Sequence, residues 1–244
     1  MGACCVKDFI GVIQARMGSS RVPGKAMLDL AGRPLIWHMI DRMRRVRGIG
    51  PIVLATTTDP RNEQMIAFAE SEGVKVFRHK EEDDLAGRVA GAIRSITGEF
   101  VLKTGGDCPL IDPAVLQRMV DTARVEQDSD FVSNRVKWSY PLGLSADVMS
   151  RSAIEWCDAN LTRPEDRELF AVYVRDHPGQ FKVVGIVNDV DLSHHGWTVD
   201  EPGDVVFMQR VFEDLYVPGE CFGLEDMLAY LSANKALIQK RSNG

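Results

Sequence analysis

Short apolar runs and longer amphipathic stretches alternate along the first half of the chain. The apolar runs predict buried β-strands at Phe9–Gln14, Pro51–Thr57, Val74–Phe77 and Phe100–Thr104. Apolar residues at helical spacing predict the helices between them, at Pro34–Val46, Asn62–Glu72 and Asp84–Ile96. Because such strands need cover on both faces, the pattern predicts an α/β fold, a mostly parallel mixed sheet sandwiched by helices.

The second half of the chain is less regular. A helix at Pro113–Val125 begins after the N-cap residue Asp112, and Trp138–Val148 is typical of a hairpin or an irregular excursion. Further strands are predicted at Asp130–Ser133 and Phe181–Val187, and further helices at Ser152–Ala159, Arg163–Asp176, Pro202–Leu215 and Leu224–Lys240. We therefore expect a single domain over residues 1–244, with residues 135–180 as a small protruding segment.

The composition narrows the class of protein. With 244 residues, 45% hydrophobic and 26% charged, the chain has the balance of an ordinary soluble domain. No apolar run approaches the ~20 residues of a membrane span, and the N-terminal MGACCVKD lacks a secretory signal pattern. The five cysteines include no C-x-x-C pair, which argues against a zinc site and for a reducing compartment. We expect a cytoplasmic protein without a membrane span, in which Cys4 and Cys5 belong to an unmodified terminus.

Charge is unevenly distributed along the chain. The formal net charge is −6, but residues 1–50 carry nine Lys or Arg against three acidic residues. A basic sector within an acidic chain suits a small anionic ligand better than a nucleic-acid surface. We therefore expect no nucleic-acid partner, and an anion site in the N-terminal part.

The loop after the first predicted strand carries the strongest candidate chemistry. It reads ARMGSSRVPGK and combines three cations with small residues: Arg16, Gly18, Ser19, Ser20, Arg21, Gly24 and Lys25. Glycine lets the backbone approach a ligand, and Arg and Lys neutralise phosphate charge, so the loop predicts a polyphosphate site. It is not a P-loop, because five residues separate Gly18 from Gly24 and Ala26 follows Lys25. The alternative interpretation is a solvated turn with scattered charges.

Two acidic residues at predicted element ends are candidates for a metal site. Asp107 follows two glycines in VLKTGGDCP, and Asp200 precedes a helix in WTVDEPGD. A bound polyphosphate needs a divalent cation, and Mg²⁺ prefers oxygen ligands such as carboxylates. We therefore expect Mg²⁺ on Asp107 and Asp200. Alternatively, Asp107 is a turn residue and Asp200 an N-cap.

Three other motifs are weaker candidates. Asp189 and Asp191 form a D-x-D, which is typical of glycosyltransferase metal sites, but they lie in a polar segment where a turn is the simpler interpretation. Cys108 has no His or Asn placed by a motif to activate it. His194 and His195 are adjacent, which disfavours joint binding of one metal, and we interpret them as loop residues.

Five segments of the chain together resemble a known enzyme family. They are IQARMGSSRVPGKAMLDLAGRPLI, VLATTTD, GGDCPLIDP, YPLGLSADV and WTVDEPGD, which occur in this order up to about residue 215. In these segments the chain resembles the spore-coat-polysaccharide-type cytidylyltransferases, relatives of the synthetases of CMP-activated sialic acids and CMP-activated 3-deoxy-octulosonate. The resemblance implies a nucleotide-diphosphosugar-transferase-like fold. It also implies attack of an acceptor oxygen on the α-phosphate of CTP with release of pyrophosphate, for cell-surface polysaccharide or glycan biosynthesis.

The resemblance also implies roles for individual residues. The implied catalytic residues are Arg16, Lys25 and Asp107, and the implied Mg²⁺ ligands are Asp107 and Asp200. Nucleotide-binding residues would be Gln14, Ala15, Arg16, Gly18, Ser19, Ser20, Arg21, Lys25 and Thr104, with Gln14 and Ala15 framing the base. Residues that bind the small anionic acceptor would be Arg88, Tyr140 and Asp147.

Two departures from the family pattern fall on the acceptor side. Ser145 stands where relatives tend to have Asp in YP-x-GLD-x-E, and Leu169 where they tend to have His in R-E-H-V-T. The acceptor therefore stays open between a sugar acid, a phosphonate and another small acid. Two alternative functions also stay open: a glycosyltransferase that uses a nucleotide sugar, and a non-catalytic nucleotide or phosphosugar binder. We expect a homodimer, with the aromatic residues Trp138, Tyr140, Trp156 and Tyr173 of the protruding segment at its contact.

Overall fold

The computed structural model describes residues 9–237 of the chain. The expectations for Cys4 and Cys5, and for the end of the last helix up to Lys240, fall outside these residues. The strands are β1 (Phe9–Gln14), β2 (Asp29–Leu30), β3 (Arg33–Pro34), β4 (Ile49–Thr57), β5 (Lys75–His79), β6 (Phe100–Gly105), β7 (Phe131–Ser133), β8 (Ala146–Ser150) and β9 (Val183–Gly185). The helices are α1 (Leu35–Arg44), α2 (Glu63–Ser71), α3 (Leu85–Ile93), α4 (Pro113–Val125), α5 (Arg151–Asn160), α6 (Pro164–Glu168), α7 (Phe170–Asp176), α8 (Pro202–Leu215) and α9 (Leu224–Ala233). Short 3₁₀ helices lie at Lys25–Met27, Pro60–Asn62 and Lys235–Leu237.

The main sheet has seven strands in the order β5-β4-β1-β6-β8-β7-β9. Strands β5, β4, β1 and β6 are parallel, whereas β8 runs antiparallel between β6 and β7. Strand β9 pairs parallel with β7, and β2 and β3 form a separate small hairpin. The predicted fold class, a mostly parallel mixed sheet sandwiched by helices, is confirmed.

Each face of the sheet packs against its own set of helices. Phe9 and Ile13 of β1 belong to the core cluster formed with α1, α4, α8 and α9. Ile10 and Val12 belong to the opposite cluster, formed with α3, α5 and α7. Successive side chains of a strand point to opposite faces, so a strand apolar at every position needs both layers. The carboxyl ends of β1 and β6 emerge side by side between these layers, because Gln14 pairs with Gly105.

The bounds of several predicted elements agree with the structure. Strand β1 and helices α4 and α8 have the predicted bounds. The predicted N-cap of α4 is present: the Asp112 side chain accepts a hydrogen bond from the backbone N–H of Ala114 at 2.6 Å, and Pro113 occupies the first helical position.

Most of the segment 135–180 is integrated in the domain, and the prediction that it protrudes is wrong for these parts. Strand β8 lies in the interior of the sheet, and α5 and α7 pack on the core through Ile154 and Phe170. The predicted helix Arg163–Asp176 is divided at Leu169 into α6 and α7. Tyr140, which we expected at a dimer contact, is buried. Among residues 9–237, no helix combines the length and the apolar character needed to cross a bilayer.

Candidate functional site

The loop that follows β1 folds back on itself and returns Lys25 to the end of the sheet. Gly24 has φ 75°, in the left-handed region that favours glycine, and precedes the 3₁₀ helix that begins at Lys25. The backbone N–H of Gly24 donates to the carbonyl of Met17 at 3.0 Å, which closes the loop. The backbone N–H of Met17 in turn donates to the Asn62 side chain at 2.8 Å. These contacts hold the loop over the carboxyl end of β1.

A close approach of two backbones places Asp107 beside this loop. An added Cβ at Gly106 would lie 2.4 Å from Cβ of Ala15 and 2.8 Å from the carbonyl oxygen of Gln14. Only glycine fits between the ends of β1 and β6 without displacing them. The chain can therefore turn directly after β6, and the Asp107 side chain faces the loop.

The segment before α8 supplies the third part of the site. The backbone N–H of Val199 donates to the carbonyl of Asp107 at 2.9 Å, which fixes Asp200 next to Asp107. Helix α8 is capped by Glu201 and Asp204, and the Asp204 carboxylate accepts hydrogen bonds from the backbone N–H groups of Asp200 and Glu201. The alternative interpretation of Asp200 as the N-cap is therefore wrong, and its carboxylate is available to the site.

The three segments meet at the ammonium group of Lys25. Its Nζ lies 2.7 Å from the carbonyl oxygen of Val199, 2.9 Å from Oδ1 of Asp200 and 3.4 Å from Oδ2 of Asp107. Burial opposes ionisation of Asp200, but the hydrogen bond and the charge of Lys25 outweigh it and lower the pKa of that carboxyl. The Asp200 carboxylate is therefore held in its ionised form beside the Lys25 ammonium, which Asp107 also contacts.

Cys108 does not contribute a reactive thiolate at this point. Its side chain is buried, and its Sγ donates a hydrogen bond to Oδ1 of Asp107 at 3.2 Å. Burial raises the pKa of the Cys108 thiol well above its usual range, and the neighbouring Asp107 raises it further. A thiol held in its protonated form is a poor nucleophile, in agreement with the sequence interpretation.

A cavity of about 400 Å³, here called the first cavity, opens beside Lys25. It collects ten of the predicted site residues: Gln14, Ala15, Arg16, Ser19, Ser20, Arg21, Lys25, Arg88, Asp107 and Asp200. Sequence reasoning missed Glu82 and Leu85 on its wall, and Leu169, which we expected on the acceptor side, lines this cavity beside Glu168. The cavity therefore combines a basic loop on one side with acidic and apolar residues on the other.

Each cation of the loop is paired with an acidic residue. Nη1 of Arg16 lies 2.6 Å from Oε1 of Glu82, and Nη1 of Arg21 lies 2.6 Å from Oε1 of Glu201. The side chains of Arg16 and Arg21 are 41% and 59% exposed, so these are surface ion pairs of small net stability. The hydrogen bond that Arg21 donates to Glu201 raises the pKa of Arg21.

Two buried polar atoms on the wall of the first cavity lack partners. Arg88 is 5% exposed, its Nη2 donates to the carbonyl oxygen of Glu82, and its Nε has no partner among the described residues. Oε1 of Gln14 is likewise buried and unpartnered within residues 9–237. Burial lowers the pKa of Arg88, and the charge of Arg16 lowers it further. An unpaired donor and an unpaired acceptor at one cavity are costly unless a ligand or water satisfies them.

A second cavity of about 270 Å³ adjoins the first. Gln14, Gly105, Asp107 and Asp200 line both cavities, so the two meet at the aspartate pair. Thr104, which we expected at the nucleotide, lines the second cavity instead, and its Oγ1 donates to the carbonyl oxygen of Ser145 at 3.3 Å. Asp147 lines the second cavity as well.

A buried charge cluster forms the wall of the second cavity. It consists of Lys103, Arg135 and Asp147, and strand register explains it, because Lys103 of β6 pairs with Asp147 of β8. Oδ2 of Asp147 lies 3.2 Å from Nζ of Lys103 and 2.5 Å from Nη2 of Arg135. Burial opposes ionisation of Asp147, but Arg135 and Lys103 overcome it and lower its pKa to about 2. Sequence reasoning missed Lys103 and Arg135, although a lysine inside the apolar run FVLKTG was a usable signal.

Two predicted site residues lie elsewhere. Tyr140 is buried, its hydroxyl accepts a hydrogen bond from Nη1 of Arg118 at 2.9 Å, and it lines a separate cavity between α4 and α9. The assignment of Tyr140 to the acceptor is therefore corrected. Gly18 lines neither cavity and packs against Arg61, which lies 2.9 Å from the position of an added Cβ. Its assignment as a nucleotide contact is corrected too.

The D-x-D of Asp189 and Asp191 and the adjacent histidines lie outside both cavities, whereas Cys108 lines the second cavity. Asp191 accepts a hydrogen bond from the backbone N–H of Ser193 at 2.9 Å, which is the turn role expected for this D-x-D. The rings of His194 and His195 stack on each other with centroids 4.1 Å apart. None of these residues lines the first or the second cavity.

The donor set fits a hard divalent cation. Asp107 and Asp200 are each 31% exposed at the junction of the cavities, and their carboxylates converge on one positive charge, Lys25. Within residues 9–237 no group of three or more His, Cys, Asp or Glu forms a metal cluster. A cation held here would need its further ligands from phosphate oxygens and water, which is the usual mode of Mg²⁺.

Comparisons with known proteins agree with this geometry. The profile of a family described as Cytidylyltransferase matches residues 10–181. An uncharacterised protein of Methanocaldococcus jannaschii is 30% identical over 175 residues, 72% of this chain and 70% of its own. The spore coat polysaccharide biosynthesis protein SpsF of Bacillus subtilis is 28% identical over 183 residues, 73% of this chain and 74% of its own. A 3-deoxy-manno-octulosonate cytidylyltransferase of Anaeromyxobacter is 37% identical over 111 residues, which are 45% of this chain and 44% of that enzyme.

Solved structures show the same fold. A cytidylyltransferase from Leptospira borgpetersenii serovar Hardjo-bovis superposes with a TM-score of 0.89 at 26% identity, over 98% of this chain and 99% of that one. A CMP:2-keto-3-deoxy-manno-octonic acid synthetase complexed with CTP superposes with a TM-score of 0.67 at 18% identity, over 86% of this chain and 100% of that one, and shows the fold alone. The family profile covers well over half of the chain. It includes the loop, Lys25, Asp107, strand β6 and all of strand β1 but its first residue. The chain is therefore a nucleotidyltransferase that belongs to the cytidylyltransferase family.

Proposed function

We propose that the protein transfers CMP from CTP to a small anionic acceptor and releases pyrophosphate, and that it needs a divalent cation, Mg²⁺, to do so. The observation that carries this proposal is the position of Lys25, between Asp107 and Asp200 and at the junction of two cavities. One cavity has the basic wall that a triphosphate requires, and the other leaves room for a second substrate.

The first cavity would hold the nucleotide. Arg16, Arg21 and Lys25 would contact the triphosphate, and the small residues Ser19 and Ser20 would let it approach the loop. A triphosphate brings more negative charge than the single carboxylates of Glu82 and Glu201, so it would displace these weak exposed pairs. The structural relative that was solved in complex with CTP supports CTP as the nucleotide.

The base would lie against the unpaired atoms of Gln14 and Arg88. A cytosine edge carries both hydrogen-bond acceptors and a donor, which would satisfy the free Nε of Arg88 and the free Oε1 of Gln14. We therefore move Arg88 from the acceptor side, where the sequence interpretation put it, to the nucleotide side. The backbone N–H of Ala15 donates to the carbonyl of Ala55, so Ala15 would contact the base by van der Waals packing.

Asp107 and Asp200 would hold the divalent cation. When bound, the cation would neutralise phosphate charge and polarise the phosphorus that is attacked. It would also compete with Lys25 for the two carboxylates, which would release the ammonium to the phosphates. A structural relative from Mycobacterium tuberculosis was solved in complex with manganese, which supports a divalent ion without specifying Mg²⁺.

The chain's own residues would act by positioning and by charge. A hydroxyl of the acceptor in the second cavity would attack the α-phosphorus, the bond from the α-phosphorus to the bridging oxygen would break, pyrophosphate would leave with the electron pair, and the hydroxyl proton would pass to solvent. Little covalent chemistry is required of the protein in such a transfer. Arg16 and Lys25 would offset the charge that develops on the departing pyrophosphate.

The names of the relatives suggest the biological setting. SpsF is named as a spore coat polysaccharide biosynthesis protein, and other relatives are named 3-deoxy-manno-octulosonate cytidylyltransferases. By extension, we propose that this chain supplies a CMP-activated precursor for a cell-surface polysaccharide.

A homodimer stays a prediction, and sedimentation at micromolar concentration tests it, since a strict monomer would contradict it.

Pyrophosphate release tests the proposed reaction. Purified protein is supplied with CTP, Mg²⁺ and a panel of 2-keto sugar acids and phosphonates, and each of the other nucleoside triphosphates replaces CTP in parallel. We expect pyrophosphate only with CTP, with the divalent ion and with an acceptor. A glycosyltransferase acting on a nucleotide sugar, or a non-catalytic binder, would release none.

A further inference from the structure

The buried cluster of Lys103, Arg135 and Asp147 carries more positive charge than its own carboxylate neutralises. Asp147 is 1% exposed and Lys103 is 5% exposed, and both stand on the wall of the second cavity with Arg135. The cluster contains two cations and one anion. Lys103 and Asp147 are buried and balance each other, whereas Arg135, whose side chain is 22% exposed, adds a positive charge at the cavity, so this wall suits a negative group.

The hydrogen-bonding capacity of the two cations is also only partly used. The ammonium of Lys103 has three donors, and among residues 9–237 Asp147 is its one hydrogen-bonding partner. Arg135 directs Nε and Nη2 to Asp147, at 3.2 and 2.5 Å, which leaves its Nη1 group without a partner among the described residues. Donors therefore remain available beside the cavity on both side chains.

The carboxylate of Asp147 is fully engaged and orients both cations. Its Oδ1 accepts hydrogen bonds from Oγ of Ser133 at 2.8 Å and from Nε of Arg135, and its Oδ2 contacts both Lys103 and Arg135. Two of these partners are fixed by neighbouring strands, since Ser133 and Lys103 both pair with Asp147 in the sheet, whereas Arg135 follows the end of β7. Asp147 is thus a positioning residue and has little capacity left to bind a substrate directly.

We propose that Lys103 and Arg135 form the subsite that binds the anionic group of the acceptor. This inference rests on the proposed function, because it takes the second cavity as the acceptor site. It revises the sequence interpretation, in which Asp147 contacts the acceptor itself. A carboxylate or phosphonate on Lys103 and Arg135 would orient the acceptor toward the aspartate pair, where the two cavities meet. The acceptor would accordingly be a small molecule that carries one anionic group, and neutral analogues should bind poorly.

Calorimetric titration of the protein saturated with CMP and Mg²⁺ tests the subsite without turnover. The probes are 3-deoxy-manno-octulosonate and N-acetylneuraminate, each compared with its neutral methyl ester. We expect at least one acid to bind about 10- to 100-fold more tightly than its ester, the factor for a charge-assisted contact. Arg135→Gln should reduce this preference to about 3-fold or less, and Arg135→Lys should keep part of it. Arg135→Gln leaves the Lys103–Asp147 pair intact, so the fold should persist. Arg163→Gln, at an exposed arginine away from both cavities, is the control and should keep the full preference.

Asp147 is tested as a positioning residue with two variants. Asp147→Asn should lose the preference for acid over ester, and Asp147→Glu, which keeps the charge, should restore it. Three results would overturn the subsite: acid and ester bind alike to the wild type, no acid binds, or the preference survives in both Arg135→Gln and Lys103→Met. A separate titration with CTP decides the nucleotide site. If CTP fails to bind, the proposed function fails, whereas unchanged CTP binding in Arg135→Gln with lost acid preference supports the subsite.

Discussion

The two cavities differ in how far their charged side chains are buried. In the first cavity, the ion pairs of Arg16 with Glu82 and of Arg21 with Glu201 are largely exposed. In the second, Lys103 and Asp147 are almost fully buried and joined by Arg135. Exposed pairs contribute little stability and exchange partners readily, whereas a buried carboxylate between cations cannot be lost without leaving unpaired charge. The difference indicates that the first cavity gives up its contacts to a ligand and that the second keeps its geometry.

The largest expected effect of a substitution lies in the buried cluster. Asp147→Asn leaves Lys103 and Arg135 without their counter-ion, and we expect it to lower the free energy of unfolding by about 3–5 kcal/mol. Glu82→Gln, at the exposed pair, should lower it by less than about 1 kcal/mol. Urea denaturation of both variants measures the contrast. Equal destabilisation would show that the two cavities do not differ in this respect.

The next effect concerns the rate of the reaction. Asp107→Asn removes a charge that the proposed reaction requires at the junction of the cavities, and we expect pyrophosphate release to fall by about 10²–10³-fold. The melting temperature should stay near that of the wild type, because Asp107 is partly exposed and the replacement has the same shape. Asp189→Asn, an exposed residue outside both cavities, is the matched control. An undiminished rate in Asp107→Asn would exclude the proposed role.

The pH dependence of stability tests whether the buried Asp147 is ionised in the folded protein. The pKa of Asp147 is about 2 in the folded protein and about 3.9 in an unfolded chain. A depressed carboxyl pKa stabilises the fold above the unfolded value, and this contribution disappears as the pH falls through the folded value. The advantage of the wild type over Asp147→Asn should therefore shrink by about 2 kcal/mol between pH 5 and pH 2. A constant difference across this range would contradict the assignment of an ionised, stabilising Asp147.

The smallest expected effect is a gain in nucleotide affinity. Glu82 competes with the triphosphate for Arg16, so Glu82→Gln should lower the KM for CTP by about 2- to 5-fold in low salt. The gain should fade as the salt concentration rises, because exposed charges are screened. Glu63→Gln removes a similar exposed pair with Arg78, outside the cavities, and should leave the KM unchanged. A raised KM in Glu82→Gln would indicate that Glu82 contacts the substrate directly.

Local sequence signals predicted the frame of the first cavity. Strand β1 and the loop to Lys25 are contiguous, so apolar spacing, glycines and cations sufficed to predict a site there, and most of these residues line the first cavity; phosphate binding at it remains a prediction. Asp107 and Asp200 were predicted from a different regularity, their positions at element ends, and both line the junction of the two cavities. Their function at that junction remains a prediction.

The acceptor side was predicted less well because its residues come together through strand order. Lys103, Arg135 and Asp147 meet only because β8 inserts antiparallel between β6 and β7, an arrangement that no local pattern specifies. Tyr140 was misplaced for a related reason. It lies in an irregular segment that forms an isolated bridge between Leu142 and Gly196, and its hydroxyl contacts Arg118 rather than either cavity.

The sequence by itself thus determined the alternation of strands and helices, the basic loop and the two acidic turns, since each depends on residues close together in the chain. The tertiary structure alone decided which acid faces which cation, that Lys25 stands between Asp107 and Asp200, and that a buried positive cluster lies behind them. The physical reason is range: periodicity and turn chemistry act over a few residues, whereas charge pairing and burial depend on segments that only the completed sheet brings into contact.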